Sequence, residues 1–127
     1  MKLFLDDMDA RAHLFAELYG AEDTIVVKTA EDAILALKTY KFDLVSLDHD
    51  LGGRVYQPSN SEDCGMEVVR WIVEHLPPID CIIVHSWNIP ASIRMADKLY
   101  RAGYDVKRMP LGFGQTSFQR GRSTQER

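Results

Sequence analysis

Short apolar runs alternate along this chain with segments of helical spacing, and the alternation predicts its elements. KLFL (2–5), TIVVK (24–28), DLVSL (43–47), DCIIV (80–84) and YDVKR (104–108) have the length and the aliphatic, often β-branched content of strands. Between them, apolar residues recur three and four positions apart. A first helix is expected over 11–19, with Ala12, Phe15, Ala16, Leu18 and Tyr19 as its apolar positions. A second runs over 30–40, where Thr29 is the N-cap, Asp32 holds the capping-box position, and Ala33, Ile34 and Leu37 fall at helical spacing. A third covers 63–75, with Val68, Trp71 and Ile72 on one face, and Pro77 and Pro78 end it. Asn88 is placed to cap a fourth helix that reaches Ala102 and breaks at Gly103.

Five strands interleaved with four helices predict an α/β domain: a five-stranded parallel sheet between two helical layers, because parallel neighbours need crossover connections. The largely apolar runs IVV, LVSL and CIIV fit strands buried on both faces. A length of 127 residues, 46% of them hydrophobic and 27% charged, suits one domain with a sizeable core. Neither a repeat nor a linker divides it. The expected organisation is a packed domain over 1–110 with no last helix, followed by a mobile polar tail over 111–127.

Charge and cysteine content narrow the function classes. The net charge is −4, and the segment from Lys107 onward holds five Lys or Arg against Glu126, so residues 1–106 carry −8. An acidic body argues against tracking along duplex DNA. No apolar run is long enough to span a bilayer, and MKLFLDD turns acidic too early for a signal peptide, so a cytoplasmic protein is expected. Cys64 and Cys81 lack a CxxC spacing and read as reduced thiols.

In a doubly wound parallel sheet the ligand site lies beyond the carboxyl ends of the strands. There the sequence places Asp6 and Asp7 after strand one, Asp48, His49 and Asp50 after strand three, and His85, Ser86 and Asn88 after strand four. Four carboxylates and two imidazoles at one edge repel one another unless a cation or protons neutralise them. Mg²⁺ or Mn²⁺ would suit Asp6, Asp7, Asp48 and Asp50 as ligands. Each residue has a plainer reading on its own: either Asp6 or Asp7 could cap the first helix, and His85 could be a satisfied core histidine. Convergence from three strand ends is what favours a functional site.

In their order along the chain these residues resemble the response-regulator receiver domain. The acidic pair, Asp48 ending strand three, GMEVVRWI (65–72) opening helix three, Ser86 ending strand four and Pro110 after strand five fall in receiver order. That resemblance implies a receiver/flavodoxin-like fold, a phosphoacceptor aspartate and a magnesium ion held by the acidic pair. His49 and Asp50 directly after Asp48, a long loop over 51–62, His85 before Ser86, and Met109 in the place of the usual lysine depart from that pattern. LDD-x-x-x-R (5–11), SLDHDLG (46–52) and HSWN (85–88) are similar instead to the cyclic-phosphate processing receiver-like family.

This second resemblance implies work on cyclic phosphates, in nucleotides or at RNA ends, and hence a hydrolase of the cyclic phosphodiesterase type. The chemistry needs a deprotonated nucleophile, a protonated leaving oxygen and an offset to the phosphoryl charge. His49, His85 and Asp48 are the expected catalytic residues. Ser86 and Asn88 are expected to donate hydrogen bonds, and Arg11, Arg54 or Arg108 to neutralise the phosphate. Trp87 and Tyr56 are candidates to stack on a base, Tyr56 within a loop long enough to act as a lid. A non-catalytic module that binds nucleotides or RNA ends, and an atypical receiver acting through protein contacts, remain as alternatives.

Overall fold

A computed structural model describes residues 1–54 and 56–111. The chain runs β1 (Lys2–Leu5), α1 (Asp9–Tyr19), β2 (Thr24–Val27), α2 (Ala30–Thr39), β3 (Phe42–Leu47), α3 (Gly65–His75), β4 (Ile79–Val84), α4 (Ile89–Arg101) and β5 (Val106–Arg108). All strand pairs are parallel, in the order β2-β1-β3-β4-β5. Among the described residues no helix follows β5, and none is long and apolar enough to cross a membrane. The predicted tail falls outside the described residues from 112 on. Leu111 is buried against Phe4 and Phe15, so packing extends at least one residue past the expected boundary.

Every expected element is present, and the ends that differ have local causes. Helix α1 begins two residues early, at Asp9, since the Met8 amide already bonds to the Asp6 carboxylate and turns the chain. Helix α3 begins two residues late. Cys64 is still extended, and the Gly65 amide donates to the His49 carbonyl at 2.8 Å, so the helix starts only where it touches the end of β3. A Cβ at Gly65 would lie 1.7 Å from the Asp48 carbonyl oxygen, which makes glycine a packing requirement there. Strand β5 is shorter than expected at its start, where the Tyr104 hydroxyl donates to the Pro77 carbonyl at 2.6 Å. The predicted caps form: Thr29 accepts from the Asp32 amide at 3.1 Å and Asn88 from the Ala91 amide at 3.3 Å.

Alternation along the strands divides the core. Leu3, Leu5, Val45, Leu47, Ile82 and Val84 pack with Ala33 and Leu37 of α2, Val69 and Ile72 of α3, and Met95 and Leu99 of α4. Phe4 faces the other way, onto Phe15 of α1. Register then sets the site. Leu5 pairs with Leu47 and Leu47 with Val84, so the next residues, Asp6, Asp48 and His85, come level at the carboxyl edge.

Candidate functional site

Three neighbouring strand ends build the centre of the site. Asp6, Asp48 and His85 are all buried, and one ligand atom from each lies within 4.8 Å of the others. Asp6 Oδ2 accepts from His85 Nε2 at 2.9 Å and from Arg11 Nη1 at 3.3 Å, while its Oδ1 accepts from the Met8 amide at 2.9 Å. Asp48 Oδ1 accepts from the His49 amide at 2.8 Å, and its Oδ2 lies 3.4 Å from the same Arg11 nitrogen. One guanidinium, carried on the first turn of α1, thus bridges two buried carboxylates.

The environment pushes these groups apart in proton affinity. Burial, followed by the charge of Asp6, raises the Asp48 carboxyl from 3.8 to about 7. Burial also opposes ionisation of Asp6, but the His85 hydrogen bond, the Met8 amide and Arg11 outweigh it and hold that carboxyl below its usual range. Burial lowers His85, so a neutral imidazole faces an ionised Asp6. Because Asp6 only accepts, Nε2 of His85 carries the hydrogen and Nδ1 accepts from Ser46 Oγ at 2.7 Å. The ring is stacked on Phe4, with centroids 4.7 Å apart.

His49 and Asp50 organise the neighbouring loop. His49 Nδ1 meets Asp50 Oδ1 at 2.6 Å and its Nε2 meets Ser59 Oγ at 3.0 Å. Burial disfavours the imidazolium, but contacts with Cys64 and Asp50 outweigh this and raise the His49 pKa, while the same pairing helps to lower that of Asp50. Asp50 also accepts from the amides of Tyr56 and Gln57, at 2.8 and 2.9 Å, and from Asn88 Nδ2 at 3.2 Å. These bonds fix the loop that follows β3 as one wall of a cleft.

The cleft has a volume of about 220 Å³ and is lined by Asp7, Met8, Arg11, Asp48, Asp50, Gly53, Arg54, Tyr56, Ser86, Trp87 and Asn88. Asp7 is tied to the loop by the Gly53 amide at 2.6 Å, and Arg54 pairs with Asp63 at 2.8 Å. Ser86 Oγ accepts from the Asn88 amide at 3.0 Å. Tyr56 is 71% exposed and Trp87 46%. The Trp87 indole N–H bonds to the Leu111 carbonyl, which ties this aromatic wall to the segment after β5.

Three expected site residues lie elsewhere. Neither His49 nor His85 lines the cleft: both are fully buried, and each has both ring nitrogens engaged by the protein. Arg108 pairs in register with Val84 and therefore faces α4, where its Nη1 lies 3.4 Å from Ser92 Oγ. Of the four expected metal ligands, Asp6 and Asp48 converge and His85 joins them, whereas Asp7 and Asp50 serve the loop. Two partners escaped the sequence reading. Ser46 was detectable as the one polar residue within LVSL, but nothing in the loop sequence marks Ser59 as the partner of His49.

The parallel order β2-β1-β3-β4-β5, with an aspartate ending β3 beside a second carboxylate after β1, defines a receiver-type α/β domain. The chain matches the cyclic-phosphate processing receiver domain over residues 1–101, and it belongs to that family. Among solved structures it is similar to the receiver domain of NtrX from Brucella abortus, with 22% identity and a TM-score of 0.59 over 97% of each chain. A response regulator from Burkholderia pseudomallei, holding a phosphorylated aspartic acid, a calcium ion and citrate, is 17% identical with a TM-score of 0.61, over 99% of this chain and 74% of that one. A CheY-like receiver domain from Methanospirillum hungatei is 15% identical, with a TM-score of 0.59 over 98% and 93%. These likenesses concern the fold. No curated protein matches the chain.

The carboxylate oxygens fit a divalent cation: Asp6 and Asp48 bring two of them together at one buried edge. Asp6 and Asp48 would hold the ion, with His85 beside them, and the ion would supply positive charge against a phosphate in the cleft.

Proposed function

We propose that the cleft binds the cyclic phosphate of a nucleotide or of an RNA end and opens it by hydrolysis. The observation that carries this reading is the lining itself, in which Arg11 and Arg54, the donor Asn88 and the exposed rings of Tyr56 and Trp87 surround the strand-end carboxyl of Asp48. The guanidiniums match phosphoryl oxygens, and the aromatic faces suit a nucleobase. Opening adds water across one P–O bond, so a proton must leave the water and another must reach the departing ribose oxygen. In the ion-free site Asp48 is the buried carboxyl on the cleft wall and serves as the group that exchanges the proton. His85 positions Asp6, and His49 positions Asp50 and the loop; neither imidazole contacts the substrate. This assignment departs from the sequence reading, which gave proton transfer to the histidines.

The withdrawal of both imidazoles also favours a second reading, a module that binds such an end without converting it. One experiment separates the two. The protein is incubated with cyclic nucleotides and with RNAs ending in a 2′,3′-cyclic phosphate, with and without chelator, and products are identified by mass spectrometry. A gain of one water on the substrate, abolished in Asp48→Asn, is the expected result. Saturable binding with no mass change would establish the binding module, and neither binding nor conversion of any member of the panel would refute both.

A further inference from the structure

Asp6 spends three of its acceptor sites on the protein. Its Oδ1 accepts from the Met8 amide, and both lone pairs of its Oδ2 are engaged, by His85 Nε2 at 2.9 Å and Arg11 Nη1 at 3.3 Å. The same Arg11 nitrogen lies 3.4 Å from Asp48 Oδ2, so a single cationic nitrogen sits between the two carboxylates that a bridging ion would use. A divalent cation needs its oxygens at roughly 2.0 to 2.6 Å, and it cannot share them with a like charge bonded to the same atoms. Arg11 also occupies the first turn of α1, where the helix dipole disfavours a cation. Its side chain is nevertheless only 22% exposed, held there by Asp6 and Asp48.

From this arrangement we propose that Arg11 is a built-in cation that occupies the acidic site and competes with divalent metal for it. The charge of the two carboxylates is partly neutralised by the chain itself, and an ion enters only when the guanidinium swings out towards the cleft that Arg11 also lines. Metal affinity of the wild type is therefore held down by the ion pairs that must break. This inference concerns ion binding alone and does not rest on the cyclic-phosphate reading.

The test is a Mn²⁺ titration of metal-free protein by calorimetry, comparing wild type with Arg11→Gln. Charge-assisted hydrogen bonds of this kind are worth about 1.5–3 kcal/mol, so the variant should bind Mn²⁺ about ten- to a hundredfold more tightly. Adding Asp6→Asn to Arg11→Gln should abolish the gain, which locates the ion at this edge. Equal or weaker binding by Arg11→Gln overturns the proposal, as does a gain that survives Asp6→Asn. Arg11→Lys, which keeps the charge but not the planar fork, gives a second reading of the same quantity. Its Mn²⁺ affinity should fall between those of wild type and Arg11→Gln, and an affinity outside that interval refutes the competition. Mn²⁺ should likewise raise the melting temperature of Arg11→Gln more than that of wild type, and an equal rise would contradict the competition.

Discussion

Asp48→Asn should make the metal-free protein more stable at neutral and alkaline pH, and the size of the effect follows from the burial of one carboxyl. In the folded chain the Asp48 carboxyl is raised from 3.8 to about 7, chiefly by burial and then by the charge of Asp6. At about 1.4 kcal/mol per pH unit, keeping that group ionised in the fold costs on the order of 4 kcal/mol. An asparagine oxygen can still accept the His49 amide, but its NH₂ group then faces the Arg11 guanidinium that Asp48 Oδ2 now meets. One mismatched hydrogen bond subtracts about 1–2 kcal/mol, leaving a net gain of roughly 2–3 kcal/mol at pH 8. The sign depends on pH. Below 3.8 the carboxyl holds its proton in both states and the substitution gains nothing. As pH rises from 3.8 to 7 the unfolded chain releases the proton and the folded chain keeps it, so wild type falls progressively behind. Above 7 the full difference persists. Urea unfolding followed by Trp71 and Trp87 fluorescence, in chelator from pH 4 to 9, measures both curves. A variant no more stable than wild type at pH 8, or an advantage that does not vanish by pH 4, would refute the argument.

Other consequences test separate parts of the structure. Gly65→Ala should cost about 3 kcal/mol or more, because its Cβ would meet the Asp48 carbonyl at 1.7 Å; a wild-type urea midpoint would show that α3 is free to shift off β3. Tyr56→Ala, at a position 71% exposed, should leave the fold intact and weaken binding of a cyclic nucleotide by about 1–3 kcal/mol, while a cyclic phosphate without a base is held as before. Equal losses for both ligands would remove Tyr56 from base recognition. Acetyl phosphate should give no stable phosphoryl adduct on intact-mass analysis, since His49 and Asp50 directly follow Asp48 and Met109 stands in the place of the usual lysine. An adduct that disappears in Asp48→Asn would instead show that the chain is a phosphoacceptor receiver.

The sequence by itself determined the element order, the parallel sheet and the edge at which chemistry collects. Those follow from hydrophobic period, cap residues and crossover topology, which are local or nearly local properties. Placing Asp6, Asp48 and His85 side by side required the register that pairs Leu5 with Leu47 and Leu47 with Val84, yet the strand ends alone implied their convergence. What the chain could not reveal is the direction in which each side chain spends its polar atoms. His49 and His85 look alike in sequence, each the first or second residue past a strand. Only tertiary packing shows both rings closed off, one between Asp50 and Ser59 and the other between Asp6 and Ser46. Arg108 is a cation near the right edge, but its register partner Val84 turns it to the α4 side of the sheet. Arg11 is the reverse case: read as a phosphate contact, it also proves to be the counter-charge of two buried carboxylates. The physical reason is common to all of them, since a titratable group takes its role from distance, burial and neighbouring charge, and these are fixed only when remote segments pack.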